Sequence, residues 1–274
     1  MAEPRRWSPS PLIRASAVLH AAALAGVAVQ PAAWPWALGA LAGNHALLGA
    51  LGLWPRSALL GANLRRLPAR NARLGQIGLC FDDGPDPQVT PAVLALLAQA
   101  GARASFFCIA GRAADHPGLV RAIVEGGHTV ENHSWHHSHR FAAMGIGALR
   151  REVGEAQRIL TTLAGRPPRF FKPPAGLRNP LLDPVLAGFG LRLATWTRRG
   201  YDAVRRDPAG VERRLLRDLA AGDLLMLHDG SAARTADGRP VVLEVLPRLL
   251  DAFAARGLAA VSLAAVSLEV AADD

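Results

Sequence analysis

CFDDGPD, residues 80–86, ends a short apolar run on two adjacent carboxylates, Asp82 and Asp83, and then turns at Gly84-Pro85. A carboxylate is costly to bury unless it is paired, hydrogen-bonded or bound to a cation. Asp-Gly and Gly-Pro are ordinary turn formers, so the stretch alone reads as a turn. Its weight comes from the runs around it. QIGLCFD (76–82) is the first of seven strand candidates. The others are ASFFCIA (104–110), HTVEN (128–132), RFFKP (169–173), LRLATW (191–196), DLLMLHD (223–229) and LAAVSLA (258–264). Helical patterns such as PGLVRAIVEGG and PAGVERRLLRDLAAG lie between most of them. Several open on proline and close near glycine, the expected helix punctuation. Seven β-then-α units predict a parallel α/β fold, either a barrel or a doubly wound sheet. In both, the ligand site lies beyond the carboxyl ends of the strands.

The unusual residues stand at those ends. Asp82 and Asp83 close the first run, and NHSWHHSH follows the third. Lys172-Pro173-Pro174 ends the fourth. Trp196 ends the fifth, with Asp202 shortly after, and His228-Asp229 ends the sixth. His133 and His137 are four apart, so on a helical turn both rings point the same way. Two imidazoles and one carboxylate make a three-ligand divalent-metal site with open positions for water and substrate. His136 and His139 read as surface or core histidines, and His128 as support for a strand end.

Charge excludes one class of partner. The chain of 274 residues carries a net charge of +9. Residues 1–74 hold eight arginines and one acid, while residues 75–274 hold 23 basic and 21 acidic residues. The excess therefore belongs to the N-terminal segment, and no nucleic-acid surface is expected on the rest. Cys80 and Cys108, the only cysteines, read as small buried residues and form no disulfide framework. Lys172 is the single lysine, against 30 arginines.

Residues 1–74 read as a membrane-associated helical segment. Two apolar runs, 15–29 and 32–54, are interrupted only by His20 and by Asn44 and His45. The second is long enough to span a bilayer; the first is short and marginal. Gly39 and Gly43 have GxxxG spacing, and Trp34, Trp36 and Trp54 suit an interfacial belt. Arginines flank both runs. If both span, the positive-inside rule places the large domain in the cytoplasm; if one spans, the domain faces the periplasm or exterior.

FDDGPD, HSWHH, KPPAG and LMLHD, in that order, resemble the motifs of the polysaccharide deacetylase family, carbohydrate esterase family 4, also known as the nodulation-deacetylase homology domain. The resemblance covers roughly residues 75–268 and leaves 269–274 as an acidic tail. It implies a distorted (β/α)7-type barrel, here preceded by the N-terminal helical membrane hairpin. It implies a bacterial hydrolase that removes an N-acyl group, acetyl or formyl, from a sugar with one divalent metal ion, commonly zinc. By the resemblance, Asp83, His133 and His137 bind the metal, Asp82 is the general base, His228 the general acid, and Asp202 orients His228. Pro174, Ala175, Gly176, Trp196 and Met226 fall at substrate-binding positions. Three positions depart from the family pattern. Lys172 stands where arginine is usual and steadies the catalytic aspartate, Ala175 where tyrosine is frequent, and Met226 where leucine is frequent. A cytoplasmic domain beside the hairpin suits a lipid-linked sugar, and an outward-facing one suits peptidoglycan or exported polysaccharide. The competing expectation is a non-catalytic sugar-binding protein on the same barrel. Oligomeric state is left open.

Overall fold

A computed structural model describes residues 4–266, so the acidic tail at 269–274 lies outside the described residues. The strands are β1 (Gln76–Asp82), β2 (Ser105–Cys108), β3 (Thr129–Asn132), β4 (Phe170–Phe171), β5 (Arg192–Leu193), β6 (Arg198–Arg199), β7 (Leu224–His228) and β8 (Ala259–Val261). The helices are α1 (Pro11–Val29), α2 (Trp34–Gly52), α3 (Ala69–Arg73), α4 (Thr90–Gln99), α5 (Ala110–Asp115), α6 (Pro117–Glu125), α7 (Ile146–Ala164), α8 (Leu182–Gly188), α9 (Pro208–Leu216) and α10 (Val241–Ala255). All paired strands run parallel, in the order β5-β4-β3-β2-β1-β7-β6. The sheet curls into a half-barrel with helices outside it.

Period-2 alternation along β1 sets the two faces. Ile77, Leu79 and Phe81 point outward into a core shared with α4, α6, α7, α9 and α10. Cys80 points inward, with Leu67, Phe107, Phe170 and Leu224. Asp82, two residues on, therefore stands on the inner face at the rim. Both cysteines are free and buried, and burial pushes the Cys80 thiol up to about 12.

The expected strands all appear, with two differences. The sheet has eight strands among the described residues, because the two-residue β6 adds one. Two arginines carry no apolar alternation, which hid that strand. The fifth run ladders only at Arg192–Leu193. Beyond it Ala194 bridges Leu64 instead. Leu64 donates to the Leu193 carbonyl (2.9 Å), Thr195 to that of Leu64 (2.9 Å), and Leu67 to that of Gly222 (2.8 Å). Residues 64–67 thus bridge from the end of β5 to the start of β7. On the other side β8 pairs with Gln76–Gly78, below the part of β1 that pairs with β2.

α1 and α2 form an antiparallel hairpin whose open end rests on the barrel. Ser10 caps α1 and Pro11 occupies its first turn, so the helix starts four residues before the apolar run and reaches 19 residues. It is the one described helix long and apolar enough to cross a membrane. That reverses the expected ranking of the two runs: α2 also has 19 residues, but Asn44, His45 and the opening Trp-Pro-Trp lower its apolar content. Polar contacts join the pair, Asn44 Nδ2 to Ser16 Oγ at 2.8 Å and His20 Nε2 to His45 Nε2 at 3.3 Å. Gly39 and Gly43 have nothing within 4 Å of where a side chain would begin, so the GxxxG spacing is not the contact. At the foot, Gly52 meets the Arg178 carbonyl so closely that a Cβ would lie 2.2 Å from it. Trp7 also bonds Asp183 (2.9 Å).

Candidate active site

Asp82 and Asp83 would point to opposite faces of a regular strand. Asp83 instead adopts φ 70°, and this left-handed residue swings its carboxylate toward the rim that Asp82 already faces. Asp83 Oδ1 lies 3.1 Å from His133 Nε2 and 3.2 Å from His137 Nε2. The histidine pair converges, with ring centroids 4.9 Å apart, but not on the helical turn the spacing predicts. Residues 133–138 are a loop, with Ser134 at φ 65° and His137 at φ 54°. Short polar side chains build it. Asn132 Oδ1 accepts from the Ser134 amide (2.9 Å), and Ser134 Oγ accepts from the His137 amide (3.0 Å). These bonds outcompete the helical ladder.

The donor set fits a divalent cation. His133 Nδ1 lies 2.7 Å from the Lys172 carbonyl. A carbonyl only accepts, so Nδ1 carries a proton, and Nε2 is the ring atom turned toward Asp83 Oδ1, able to ligate a cation once its own proton is given up. Tetrahedral ligands at ~2.1 Å from an ion are separated by ~3.4 Å, near the spacing here. Burial opposes charge on Asp83, yet the hydrogen bond from His133 and the charges of His133, His137 and His228 hold its carboxyl far below the ordinary range. Burial, with His133 beside it, lowers His137 to about 4. Near neutral pH the site therefore offers a carboxylate and an unprotonated His137.

Asp82 sits beside these groups, in register with His228 on β7. Lys172 Nζ lies 2.7 Å from Asp82 Oδ1, with the two side chains 1% and 4% exposed. The ammonium also rests 4.1 Å from the centroid of the Phe107 ring. Across the rim, Asp202 is fully buried. Its Oδ2 accepts from the His228 amide (2.7 Å) and its Oδ1 pairs with His228 Nδ1 (2.9 Å). Burial disfavours the imidazolium, but Asp202, with Asp82 and Asp83 adding their charge, outweighs it and raises His228 to about 9.

The remaining expected residues are spread around the rim. Pro174–Gly176 forms a 3₁₀ turn with Ala175 at φ 55°; Ala175 is exposed, and Pro174 and Gly176 are buried. Trp196 presses on Gly176, where a Cβ would lie 2.6 Å from the indole. Met226 is 2% exposed, on the same face of β7 as His228 and below it. His136 turns away to Glu152 (2.7 Å), and His128 Nδ1 accepts from the Ala104 amide (3.2 Å).

Two contributors escaped the sequence reading. Asp229 is fully buried against Gly84; its Oδ2 accepts from Thr90 Oγ1 (2.6 Å), and its Oδ1 has no partner. Burial, with Asp82 and Asp83 nearby and against the Thr90 bond, raises it to about 7. Its place beside His228 was the available signal. Arg112 donates to the Asp83 carbonyl (2.8 Å), a contact with no sequence signature.

Comparisons with known proteins agree with this geometry. The family model described as "Polysaccharide deacetylase" matches residues 69–194. A chitooligosaccharide deacetylase of Sinorhizobium fredii is 32% identical over 200 residues, covering 71% of this chain and 93% of that protein. A family 4 carbohydrate esterase of Streptomyces lividans, solved in complex with acetate, superposes with a TM-score of 0.61 at 32% identity, covering 68% of this chain and 91% of that one. A CE4 family pseudoenzyme of Bacillus anthracis shares the fold alone, with a TM-score of 0.66 at 18% identity over 75% of this chain and 68% of that one.

Proposed function

The chain belongs to the polysaccharide deacetylase family, and from that premise we propose that it is a metal-dependent hydrolase that removes the N-acyl group of an N-acetylglucosamine-type sugar. The observation that carries this reading is the convergence of Asp83, His133 and His137 donor atoms beside a buried Asp82–Lys172 pair and a buried His228–Asp202 pair. A pseudoenzyme shares the fold, so the reading rests on these side chains rather than on the barrel.

Asp83, His133 and His137 would hold the ion; two imidazoles and a carboxylate suit zinc. An ion held there would polarise the acyl carbonyl and acidify water. Asp82 accepts a proton from the water that attacks the acyl carbon. Lys172 keeps Asp82 aimed and ionised with one charge-assisted hydrogen bond, the part arginine usually plays. As the carbon–nitrogen bond breaks, His228 gives its proton to the departing amine, which is otherwise a poor leaving group. Asp202 fixes the His228 ring so that Nε2 faces the cavity. The products are a free amino sugar and a carboxylate. Trp196 and the 174–176 turn form the wall against which the sugar packs.

The N-terminal hairpin serves as the membrane anchor in this reading. Nineteen residues of helix rise about 28 Å, close to the thickness of a bilayer core. Val18, Leu24, Val29, Trp36 and Leu38 are exposed. α1 alone is apolar enough to cross by itself, but both ends of the hairpin return to the barrel, so α2 crosses back beside it; arginines then lie at both cytoplasmic ends, which favours a cytoplasmic catalytic domain.

Acetate release from chitotetraose tests the chemistry. Turnover is expected with divalent metal, lost on chelation and restored by zinc. A metal-loaded protein that binds chitotetraose without releasing acetate refutes hydrolysis and supports the sugar-binding alternative.

A further inference from the structure

Beside Trp196 a cleft of about 820 Å³ opens between β6, α9 and the foot of the membrane hairpin. Seven arginines and one acid line it. The acid, Asp207, is committed to capping α9, accepting from the Ala209 and Gly210 amides at 3.1 and 3.0 Å. Three of the arginines have carboxylate neighbours: Arg198 with Asp223, Arg213 with Asp207 and Arg217 with Asp218. The other four, Arg56, Arg199, Arg205 and Arg214, form no ion pair among the described residues. Uncompensated positive charge gathered in a concave wall calls for an anion.

Arg199 defines where the anion sits. Its guanidinium lies 5.0 Å from the Trp196 centroid and 4.8 Å from that of Tyr201. Its Nε is buried and has no hydrogen-bond partner. Aromatic rings thus flank this guanidinium while its Nε finds no partner among the described residues, and a planar fork is the group that grips a phosphate with two bonds. Arg214 also lies over Tyr201, 5.7 Å from its centroid. Trp196 links this cleft to the candidate active site, since its indole packs on Gly176. The far rim is Trp54 and Pro55, the residues that follow α2; there Leu53 and Trp54 are 65% and 54% exposed. A cationic hollow with an apolar lip at the foot of a membrane hairpin is shaped for an amphiphile with a phosphorylated head.

We propose that this cleft binds the phosphate or diphosphate ester of an N-acylated sugar carried on a membrane lipid, so that the sugar reaches past Trp196 to the metal-site residues. The proposal rests on the N-acyl hydrolase reading and narrows its substrate class. Soluble sugar phosphates share the head-group chemistry, but they gain nothing from the apolar lip.

The test uses the full chain in detergent micelles. Calorimetry measures binding of farnesyl diphosphate, a lipid diphosphate without a sugar, to the wild type, to Arg205→Gln/Arg214→Gln and to Asp83→Asn. Wild type and Asp83→Asn are expected to bind alike, and the double arginine variant about tenfold more weakly or worse. Equal binding by wild type and the double arginine variant overturns the cleft assignment. Loss of binding in Asp83→Asn places the diphosphate on the metal site and also overturns it. Turnover is then compared on N-acetylglucosamine joined through a diphosphate to farnesol, on nucleoside-diphosphate-linked N-acetylglucosamine and on chitotetraose. The farnesyl compound is expected to have the highest kcat/KM, by about tenfold, with that preference erased in the double arginine variant. Preference for the nucleotide compound overturns the membrane source. Arginine-dependent binding with no turnover of any compound sinks the hydrolase reading and leaves the cleft standing. Equal kcat/KM on all three sinks the cleft and leaves the hydrolase.

Discussion

Lys172→Met removes the cation bonded to Asp82 while keeping nearly the same side-chain length. In the wild type the ammonium sits 2.7 Å from Asp82 Oδ1, and both side chains are almost fully buried. Breaking a buried pair by removing one partner costs about 3–5 kcal/mol, because the other charge is left uncompensated. The variant should therefore lose about that much in urea unfolding. Turnover should fall about 10²-fold or more, since the proposed base loses the group that aims it. Metal content should stay near wild type, because His133 is held by the Lys172 backbone carbonyl rather than its side chain. Lys172→Arg keeps the charge but must fit a wider head beside the Phe107 ring, which already lies 4.1 Å from the ammonium; overpacking of this kind costs about 1–3 kcal/mol. Its effect on turnover should be milder than that of methionine. The double variant Asp82→Asn/Lys172→Met removes both charges. It should regain part of the lost stability and none of the activity, a coupling that a double-mutant cycle measures. The reasoning is refuted if Lys172→Met unfolds at the wild-type urea concentration and turns over chitotetraose at the wild-type rate.

Asp83→Ala should strip most of the bound metal, measured by elemental analysis, while His136→Ala should retain it, since His136 faces Glu152; equal metal content in the two would remove Asp83 from the ligand set. With His228 raised to about 9 by Asp202, kcat/KM should hold up to about that pH and fall above it. Asp202→Asn should move the fall to lower pH by about one unit or more, and an unmoved alkaline limb would count against Asp202 as the orienting acid. The same raised imidazole stabilises the fold fully below its ordinary value of about 6.5, a contribution lost as pH rises through about 9; urea unfolding across that window reads it. Gly84→Ala would place a Cβ 2.1 Å from Asp229 Oδ2 and should cost about 2 kcal/mol or more; a wild-type urea midpoint would show that the close approach is relieved cheaply.

The seven apolar runs were legible in sequence because buried parallel strands are continuous, branched or aromatic, and punctuated by turn residues. β1 matches its expected bounds, Gln76–Asp82, to the residue. The strand-end placement of Asp82, Asp83, Lys172 and His228 was legible for the same reason: polar residues closing apolar runs can only collect at one rim. The convergence of His133 and His137 was read correctly, but through the wrong local geometry. The spacing argued for a helical turn, whereas Asn132 and Ser134 bend the backbone through two left-handed residues. Periodicity carries no information on such side-chain-to-backbone bonds.

What only the tertiary structure decided are the meetings of residues far apart in the chain. Lys172 finds Asp82 across 90 positions, and residues 64–67 bridge from the end of β5 to the start of β7. Trp54, which reads as the end of an apolar run, and Pro55 beyond it join Trp196 and Arg199 in one cleft. Six of the seven arginines of that cleft lie within residues 198–217 of a domain that is nearly neutral as a whole, and the seventh, Arg56, lies in the N-terminal segment. Charge summed along a chain hides a patch that folding gathers, because a patch is a property of distance in space.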